Sequence, residues 1–344
     1  MQGDTLPELI KSVWKMPCEA DVLEDYILGL SPDLMATLLK DHTMSTAECQ
    51  RNIFWATADY ESLGKGYEYT SPICSELITG NNGHIIMPRV LKARNTQRDR
   101  SRDMAEVFTP SWICNAQNNL IDNAWFGRDD VFNHEHDNHT WTSNPDKVTF
   151  PEGKTWRDYV RDTRLEITCG EAPYITSRYD TTTGNPIPLE KRIGLLDRKL
   201  RVVSENTDTS GEWLKWAQVA FQNIYGYEWQ GDNLLIAREN LLITFTDYYR
   251  AKFGNEPMLK SLQYIAYIIS WNLWQMDGLK GVVPDSCGEK PSTQLSFFDT
   301  PEICPCEGCK SGNLLKHNGT YCIIRDWGAK KPKDKIRFID LIKH

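Results

Sequence analysis

The chain of 344 residues is long enough for one large domain or two modest ones, and its 40% hydrophobic and 25% charged residues are ordinary for a soluble globular protein. A net charge of −8 argues against a generic nucleic-acid coat, although it leaves room for a local nucleic-acid groove. The sequence has no apolar run near the roughly 20 residues of a membrane span and no N-terminal secretory signal, so we expect a cytoplasmic protein without membrane contact. Its ten cysteines are then expected to be reduced thiols or metal ligands.

Residues 1–105 combine helical and strand patterns and form the first predicted segment. Ser31 and Pro32 suit an N-cap and a first helical position, so a helix is predicted to begin there. Residues 52–57 and 84–90 have the pattern of short strands. A basic stretch follows, and it is interpreted either as the solvated face of a helix or as a surface that contacts phosphate. Its cations are Arg89, Lys92, Arg94, Arg98, Arg100 and Arg102, and a second basic stretch covers residues 330–337.

Residues 106–283 form the second predicted segment, in which strands and helices alternate. Strands are predicted at 164–168, 224–228 and 270–273, and helices at 112–121, 212–223, 234–253 and 259–269. Such alternation favours an α/β fold with a parallel sheet covered on both faces. Residues 128–155 are predicted to be a long loop. Residues 284–320 are an irregular Cys-rich insertion, and residues 321–344 are expected to return to the core with strands at 321–325 and 335–342.

The most informative stretch is a short apolar strand that runs through Gly226 to Glu228 and passes directly into a helix. A carboxylate at the end of such a strand can accept hydrogen bonds from both hydroxyls of a ribose. The crevice at the carboxyl ends of parallel strands is also where open α/β sheets bind nucleoside cofactors. Glu228 is therefore a candidate ribose ligand.

Three further segments accompany the Glu228 segment in a meaningful order. The run Glu106-Val107-Phe108-Thr109-Pro110 precedes a helix. The strand that holds Glu166 ends in the turn Cys169-Gly170-Glu171-Ala172, whose small residues allow a ligand to approach the backbone. Asp277 follows the last predicted strand, where it could accept a hydrogen bond from the exocyclic amine of adenine, and Leu279 lies two residues further on.

Together these segments resemble the S-adenosylmethionine-binding motifs of DNA methyltransferases that modify adenine N6, including the modification subunits (subunit M) of restriction systems. The resemblance covers roughly residues 100–280, with Ile167 in place of the usual Pro and Ala172 in place of the usual Gly. It implies a Rossmann-like class I methyltransferase sheet with a helical N-terminal extension. It also implies these cofactor-binding residues: Phe108, Thr109, Pro110, Glu166, Cys169, Gly170, Ala172, Glu228, Trp229, Asp277 and Leu279.

The family's catalytic motif, Asn-Pro-Pro-Tyr, does not occur in this sequence. By position, Asp326 and Trp327 are the best substitutes, because they follow an apolar strand and offer an acceptor for the amine and a ring to stack on the flipped base. The rival is the run from Ile53 to Tyr60, which would be catalytic in a circularly permuted member of the family. Few residues follow Asp326, so the N-terminal strands would then complete the sheet.

The insertion at 284–320 carries two further motifs. Cys304, Cys306 and Cys309, with Cys322 downstream, offer four thiols for a Zn²⁺ site, and His317 or Cys287 could replace one of them. The peptide Gln294-Leu295-Ser296-Phe297-Phe298 resembles the short peptides by which bacterial replication and repair proteins bind the sliding clamp.

The sequence thus predicts methyl transfer from S-adenosylmethionine to adenine N6 in DNA, by a modification methyltransferase or modification subunit. The basic stretch at 89–102 would contact phosphate. The alternative is a non-catalytic subunit of a restriction-modification or phage-defence complex that binds the cofactor and DNA and acts with a partner subunit. The missing tetrapeptide favours this alternative.

Overall fold

The computed structural model describes residues 20–22, 24–92, 97–98, 100–101, 109–291, 303–331 and 333–342. The α-helices in these ranges are α1 (Glu24–Leu30), α2 (Pro32–Leu39), α3 (Ser111–Phe126), α4 (Trp156–Arg161), α5 (Leu195–Asn206), α6 (Ser210–Gln222), α7 (Gly231–Phe253), α8 (Leu259–Asn272) and α9 (Glu307–Ser311). The strands are β1 (Lys40–Asp41), β2 (Arg51–Asn52), β3 (Asn133–His136), β4 (Thr140–Ser143), β5 (Arg164–Glu166), β6 (Ile224–Glu228), β7 (Leu273–Gln275), β8 (Lys290–Pro291), β9 (Ile303–Cys304), β10 (Ile323–Arg325) and β11 (Lys335–Arg337). Short 3-10 helices cover Glu61–Leu63, Ser75–Leu77, Gly80–Asn82, Arg89–Leu91, Leu189–Lys191, Leu314–Lys316 and Phe338–Leu341.

A three-stranded parallel sheet in the order β5-β6-β7 organises the middle of the chain. Glu166 pairs with Gly226, which pairs with Leu273, and Glu228 pairs with Gln275 at the carboxyl edge. The predicted α/β character is therefore confirmed. The N-terminal and C-terminal strands do not extend this sheet, because β1 pairs with β2 and β10 with β11 in separate two-stranded antiparallel sheets.

The two faces of the parallel sheet are covered differently. Side chains alternate along β6, so Ile224 joins the large core under the helices, whereas Tyr225 and Tyr227 face a smaller cluster. That smaller cluster includes Ile324 of β10 and Trp274 of β7, so the β10–β11 hairpin covers the second face. Helix α1 packs on α2, which packs on α8, and both α1 and α2 contribute to the large core, so they belong to the same packed unit.

Several sequence predictions differ from the observed elements. The strand predicted at 270–273 is mostly helical, because α8 continues to Asn272 and β7 covers Leu273–Gln275. Only Asn52 of the strand predicted at 52–57 lies in β2. Residues 84–90 do not form a strand and end in the 3-10 helix Arg89–Leu91, since Pro88 has no N–H for a strand ladder. The predicted loop at 128–155 contains the β3–β4 hairpin. This hairpin is mostly exposed, so it lacks the apolar alternation by which strands are recognised. Within the described part of the chain, no helix combines the length and hydrophobicity that crossing a bilayer requires.

Buried Arg238 on α7 joins the N-terminal helices to the sheet. Its guanidinium donates hydrogen bonds to the carbonyl oxygens of Leu38, Lys40 (3.0 Å), Ser270 (3.3 Å) and Leu273 (2.6 and 3.1 Å). These carbonyls lie at the ends of α2 and α8, where helical hydrogen bonding stops. One side chain therefore satisfies the ends of two packed helices.

Replacing this residue by Arg238→Ala should lower the free energy of unfolding by at least about 3 kcal/mol, because several buried carbonyls would lose their partner. Urea denaturation followed by circular dichroism measures the change. Arg337→Ala is the control, since its ion pair with Asp340 is half exposed and should contribute below about 1 kcal/mol. Equal effects of the two substitutions would contradict the role given to Arg238.

Candidate cofactor cavity and metal centre

A cavity of about 900 Å³ lies at the carboxyl ends of β5 and β6. Its size falls in the range of pockets that hold small ligands. Six of the residues that the sequence assigned to a cofactor line it, namely Thr109, Glu166, Cys169, Gly170, Glu228 and Trp229. Three of the four segments singled out from the sequence therefore converge in space on one crevice.

The turn after β5 has an unusual backbone. Thr168, Gly170 and Ala172 have φ angles of 45°, 52° and 63°, in the left-handed region that favours glycine. Thr168 is β-branched, so its conformation stores strain, which is a common property of ligand-binding turns. The N–H of Cys169 donates to the carbonyl oxygen of Tyr227 at 2.8 Å and so holds the turn against β6.

Glu228 connects this turn to the start of α7. Its Oε2 accepts a hydrogen bond from the N–H of Gly170 at 2.8 Å, and its Oε1 accepts one from the N–H of Gln230 at 3.2 Å. Burial raises the pKa of this carboxyl. An ionised carboxylate has about four lone-pair directions, so each oxygen keeps one for a ligand hydroxyl.

Glu166 is the second buried acid of the cavity. Its two carboxylate oxygens accept hydrogen bonds from the N–H groups of Tyr174 (3.3 Å) and Ile175 (3.1 Å). Burial raises its pKa to about 8, and the nearby Glu228 adds to the rise. Among the described residues neither carboxyl group has a paired cation, so a ligand that brings positive charge would stabilise their ionised forms.

One wall of the cavity depends on a chain of hydrogen bonds from a distant segment. The indole N–H of Trp229 donates to the hydroxyl of Tyr69 at 3.1 Å, and Tyr69 donates to Asp285 at 2.6 Å. Burial and the bond to Asp285 raise the pKa of Tyr69 to about 12. Tyr69 lines the cavity although nothing in the sequence around it indicates a ligand site.

Two buried asparagines on the cavity wall hold unused acceptors. Asn118 of α3 and Asn233 of α7 each have a side-chain oxygen with no hydrogen-bond partner among the described residues. Buried amide oxygens normally accept a hydrogen bond, so buried amide oxygens at a cavity that accept none indicate a position for a hydrogen-bond donor of a ligand. Sequence reasoning missed both residues, because a lone Asn in a helix carries no motif.

Not every predicted cofactor residue lies at the cavity. Phe108 is outside the described residues, and Pro110 is the N-cap of α3 rather than a lining residue. Ala172 is buried behind the turn. Asp277 closes a tight turn by pairing with Lys280 at 3.0 Å, and Leu279 is 86% exposed, so these two residues do not line the cavity.

The structure does not bring Asp326 and Trp327 to the cavity either. The indole N–H of Trp327 donates to Asn272, the residue immediately before β7, and Asp326 is exposed and accepts from the N–H of Gly328. Both residues therefore lie towards the amino-terminal end of the sheet. The sequence pattern of a strand followed by an acid and an aromatic residue resembles a catalytic motif. Such a local pattern does not reveal at which end of the sheet the two residues lie.

The rival run from Ile53 to Tyr60 does cross the carboxyl edge. Ala56 lines the cavity, and the amide of Gln275 exchanges hydrogen bonds with the backbone of Phe54. Gly231 permits this docking, because a Cβ at that position would lie 2.1 Å from the carbonyl oxygen of Phe54. The run forms no long strand, since β2 ends at Asn52.

Two cations of the basic stretch at 89–102, Lys92 and Arg100, are turned inward, whereas Arg98 is exposed. The ammonium of Lys92 pairs with buried Asp232 at 3.0 Å, and fully buried Arg100 pairs with the same carboxylate at 2.8 Å and with Asp59 at 2.9 Å. These contacts lower the pKa of Asp232 against its burial. Charges held in such pairs are not free to meet a phosphate, so the phosphate role expected for this stretch does not fit Lys92 and Arg100.

A compact metal-ligand group forms in the insertion. Cys287, Cys306, Cys309 and His317 place their ligand atoms within 4.8 Å of one another. The Sγ of Cys287 lies 3.2 Å from that of Cys306 and 3.5 Å from that of Cys309, and 3.3 Å from Nδ1 of His317. This group could hold a metal ion.

The group shares only Cys306 and Cys309 with the predicted quartet. Cys322 is buried in the smaller core, where its Sγ contacts the carbonyl oxygen of Gln275 at 3.4 Å. Cys304 is exposed in β9 and is not part of the group. Cys287 and His317 replace them because residues 281–288 fold back on residues 317–322, a long-range pairing that spacing does not reveal.

The peptide from Gln294 to Phe298 lies outside the described residues, so its resemblance to a clamp-binding peptide stays a prediction. No family model, curated protein or solved structure matches this chain. The functional argument therefore rests on the motif residues and on the geometry of the cavity and the thiol group.

The raised pKa of Glu166 predicts a specific pH dependence of stability. The folded state keeps the proton up to pH about 8, whereas an exposed glutamate in the unfolded chain loses it near its ordinary pKa of 4.5. The stabilisation is therefore complete at low pH and is lost as the pH rises from about 4.5 to 8. Glu166→Gln should show a smaller fall in the free energy of unfolding between these pH values than the unmodified protein.

Urea denaturation at both ends of this pH range gives the comparison. Glu190→Gln is the matched control, because Glu190 is exposed and its replacement should leave the pH dependence unchanged. An identical pH dependence in Glu166→Gln and the unmodified protein would show that the buried carboxyl does not carry the effect.

Proposed function

We propose that this protein is an S-adenosylmethionine-dependent methyltransferase that modifies adenine N6 in DNA, built on a Rossmann-like class I sheet. The observation that carries the proposal is the hydrogen bond between Gly170 and Glu228 at the edge of a cavity of about 900 Å³. A strained turn after one strand and an acid at the end of the next are the two parts that such a cofactor needs.

The residues of the cavity fit the parts of the cofactor. The free lone pairs of Glu228 suit the two ribose hydroxyls, and Trp229 beside it offers an apolar ring to the adenine. Glu166 suits the positively charged methionine end, and the unfilled amide oxygens of Asn118 and Asn233 suit amine donors. The bound cofactor would supply an electrophilic methyl group, and the chain would supply its orientation.

The acceptor base is best accommodated beside the run from Ile53 to Tyr60. This run borders the cavity through Ala56, whereas Asp326 and Trp327 lie towards the other end of the sheet. The arrangement supports the circularly permuted alternative, in which the acceptor segment precedes the cofactor segments. A flipped adenine would enter between this run and the wall made by Tyr69 and Trp229.

A second candidate function is a cofactor-binding subunit without its own catalysis. The observation that favours it is that Asp59 and Tyr60, the acid and the aromatic residue of the run from Ile53 to Tyr60, are already engaged in contacts. Asp59 is paired with Arg100, and the hydroxyl of buried Tyr60 donates to Asp232 at 2.7 Å, so neither is free to handle a base. In this case a partner subunit would provide the catalytic residues, and the peptide at 294–298 would provide a link to the sliding clamp.

The thiol group is best explained as a structural Zn²⁺ site. Tetrahedral Zn²⁺ with bonds of about 2.3 Å to sulfur sets ligand atoms roughly 3.8 Å apart, close to the distances between Cys287, Cys306, Cys309 and His317. Four protein ligands leave no open position, so the ion would order the insertion and take no part in chemistry.

Binding of the methyl donor is the first test. Isothermal titration calorimetry with S-adenosylmethionine should detect binding, and Glu228→Ala should weaken it by roughly 100-fold, because two hydrogen bonds to a charged group contribute about 1.5 kcal/mol each. Glu190→Ala should bind like the unmodified protein. Equal affinity of all three proteins would remove Glu228 from the site.

Methyl transfer is the second test. Duplex DNA incubated with tritiated cofactor should become labelled at adenine, and Glu228→Ala should abolish the label. Asp326→Ala should retain it, since Asp326 lies away from the cavity. Cofactor binding without labelled DNA would reject the enzyme in favour of the non-catalytic subunit, and loss of label in Asp326→Ala would restore that residue to catalysis.

Metal analysis distinguishes the observed ligand group from the one predicted by spacing. Purified protein should contain one Zn²⁺ per chain by plasma mass spectrometry, and Cys309→Ser and His317→Ala should lose it. Cys304→Ser should keep the ion, because its side chain is exposed and outside the group. Retention of zinc in His317→Ala combined with its loss in Cys304→Ser would favour the four-cysteine set instead.

A further inference from the structure

A second cavity, of about 630 Å³, lies on the amino-terminal side of β7 and is distinct from the cofactor cavity. We call it the basic cleft. Four cations line it, namely Lys40, Arg325, Lys331 and Lys335, against the single carboxylate of Asp334. In a chain with a net charge of −8, this concentration of positive charge requires an explanation.

Most of this charge is not neutralised within the protein. Asp334 pairs with Arg325 at 2.9 Å. Lys40, Lys331 and Lys335 form no ion pair with any residue that the structure describes. Three lysines thus leave the cleft with a surplus of positive charge, which an anionic ligand would balance.

The floor of the cleft is aromatic. His42 stacks on Trp271 with ring centroids 3.8 Å apart and is hydrogen-bonded through Nε2 to Ser270 at 2.9 Å. The ammonium of Lys335 lies 5.4 Å from the centre of the Trp271 ring. Burial, and then the cations Arg238, Lys40, Lys335 and Arg325, lower the pKa of His42 to about 2. The imidazole is therefore neutral, and the lysines alone attract the anion.

We propose that the basic cleft binds the phosphodiester backbone of nucleic acid. The lysines and their unbalanced charge point to phosphate, which Lys binds as a point charge. The choice of nucleic acid as the source of that phosphate rests on the proposed methyltransferase function. The cleft would supply phosphate contacts that Lys92 and Arg100 do not offer, because both are held in ion pairs with Asp232.

Salt-dependent DNA binding tests the proposal. The affinity for a labelled duplex is measured by fluorescence anisotropy between about 50 and 200 mM salt, a range over which phosphate contacts change affinity strongly. The triple variant Lys40→Ala, Lys331→Ala, Lys335→Ala should bind at least about tenfold more weakly and reduce the slope of log K against log salt by about 2.7, or about 0.9 per lost contact. The matched control replaces three exposed lysines elsewhere, Lys147, Lys191 and Lys215, and should bind like the unmodified protein.

Three outcomes overturn the cleft assignment: no DNA binding by the unmodified protein, equal salt slopes in the two triple variants, or binding of ATP at these lysines without binding of DNA. Unchanged affinity for S-adenosylmethionine in the triple variant shows that it is folded. DNA binding with the expected slopes but without methyl transfer would support the cleft and reject the enzyme. Methyl transfer by the unmodified protein, combined with equal salt slopes in the two triple variants, would support the enzyme and reject the cleft.

Discussion

The hydrogen bond from the N–H of Gly170 to the carboxylate of Glu228 is the contact on which the cavity depends. It requires a left-handed backbone in the turn after β5 and a buried acid at the end of β6, two features that are costly separately. Each helps to maintain the other, because the turn supplies the N–H that the buried carboxylate needs. The register between Glu166 and Gly226 then fixes where the two meet.

Much of this site could be predicted from the sequence, because its parts are local. A short apolar strand, an acid and a following helix are neighbours in the chain, so the pattern at 224–242 indicated both β6 and the position of Glu228. The turn at Cys169 and Gly170 was similarly visible from its small residues. Tyr69, Asn118 and Asn233 could not be found in this way, because only the folding of distant segments brings them to the cavity.

The predictions that did not match depended on long-range placement. Asp326 and Trp327 have a suitable strand before them, but the β10–β11 hairpin covers one face of the sheet instead of joining its carboxyl edge. The spacing of Cys304, Cys306 and Cys309 indicated a thiol group, and the sequence offered Cys287 or His317 as a replacement for one member. In the structure both replace members of the predicted set, because the segments near 287 and 317 pair. Charge alone also could not show that Lys92 and Arg100 pair with the buried carboxylate of Asp232.

The segment that holds Cys287 also holds Asp285, two residues earlier, which accepts the hydrogen bond from Tyr69 at the cavity wall. Asp285 itself has a φ of 54°, a conformation that the surrounding contacts must maintain. A chelator or an oxidant that opened the thiol group would therefore act at the mouth of the cavity without entering it. The redox state of the surroundings would then bear on the position of Tyr69 in the cavity wall.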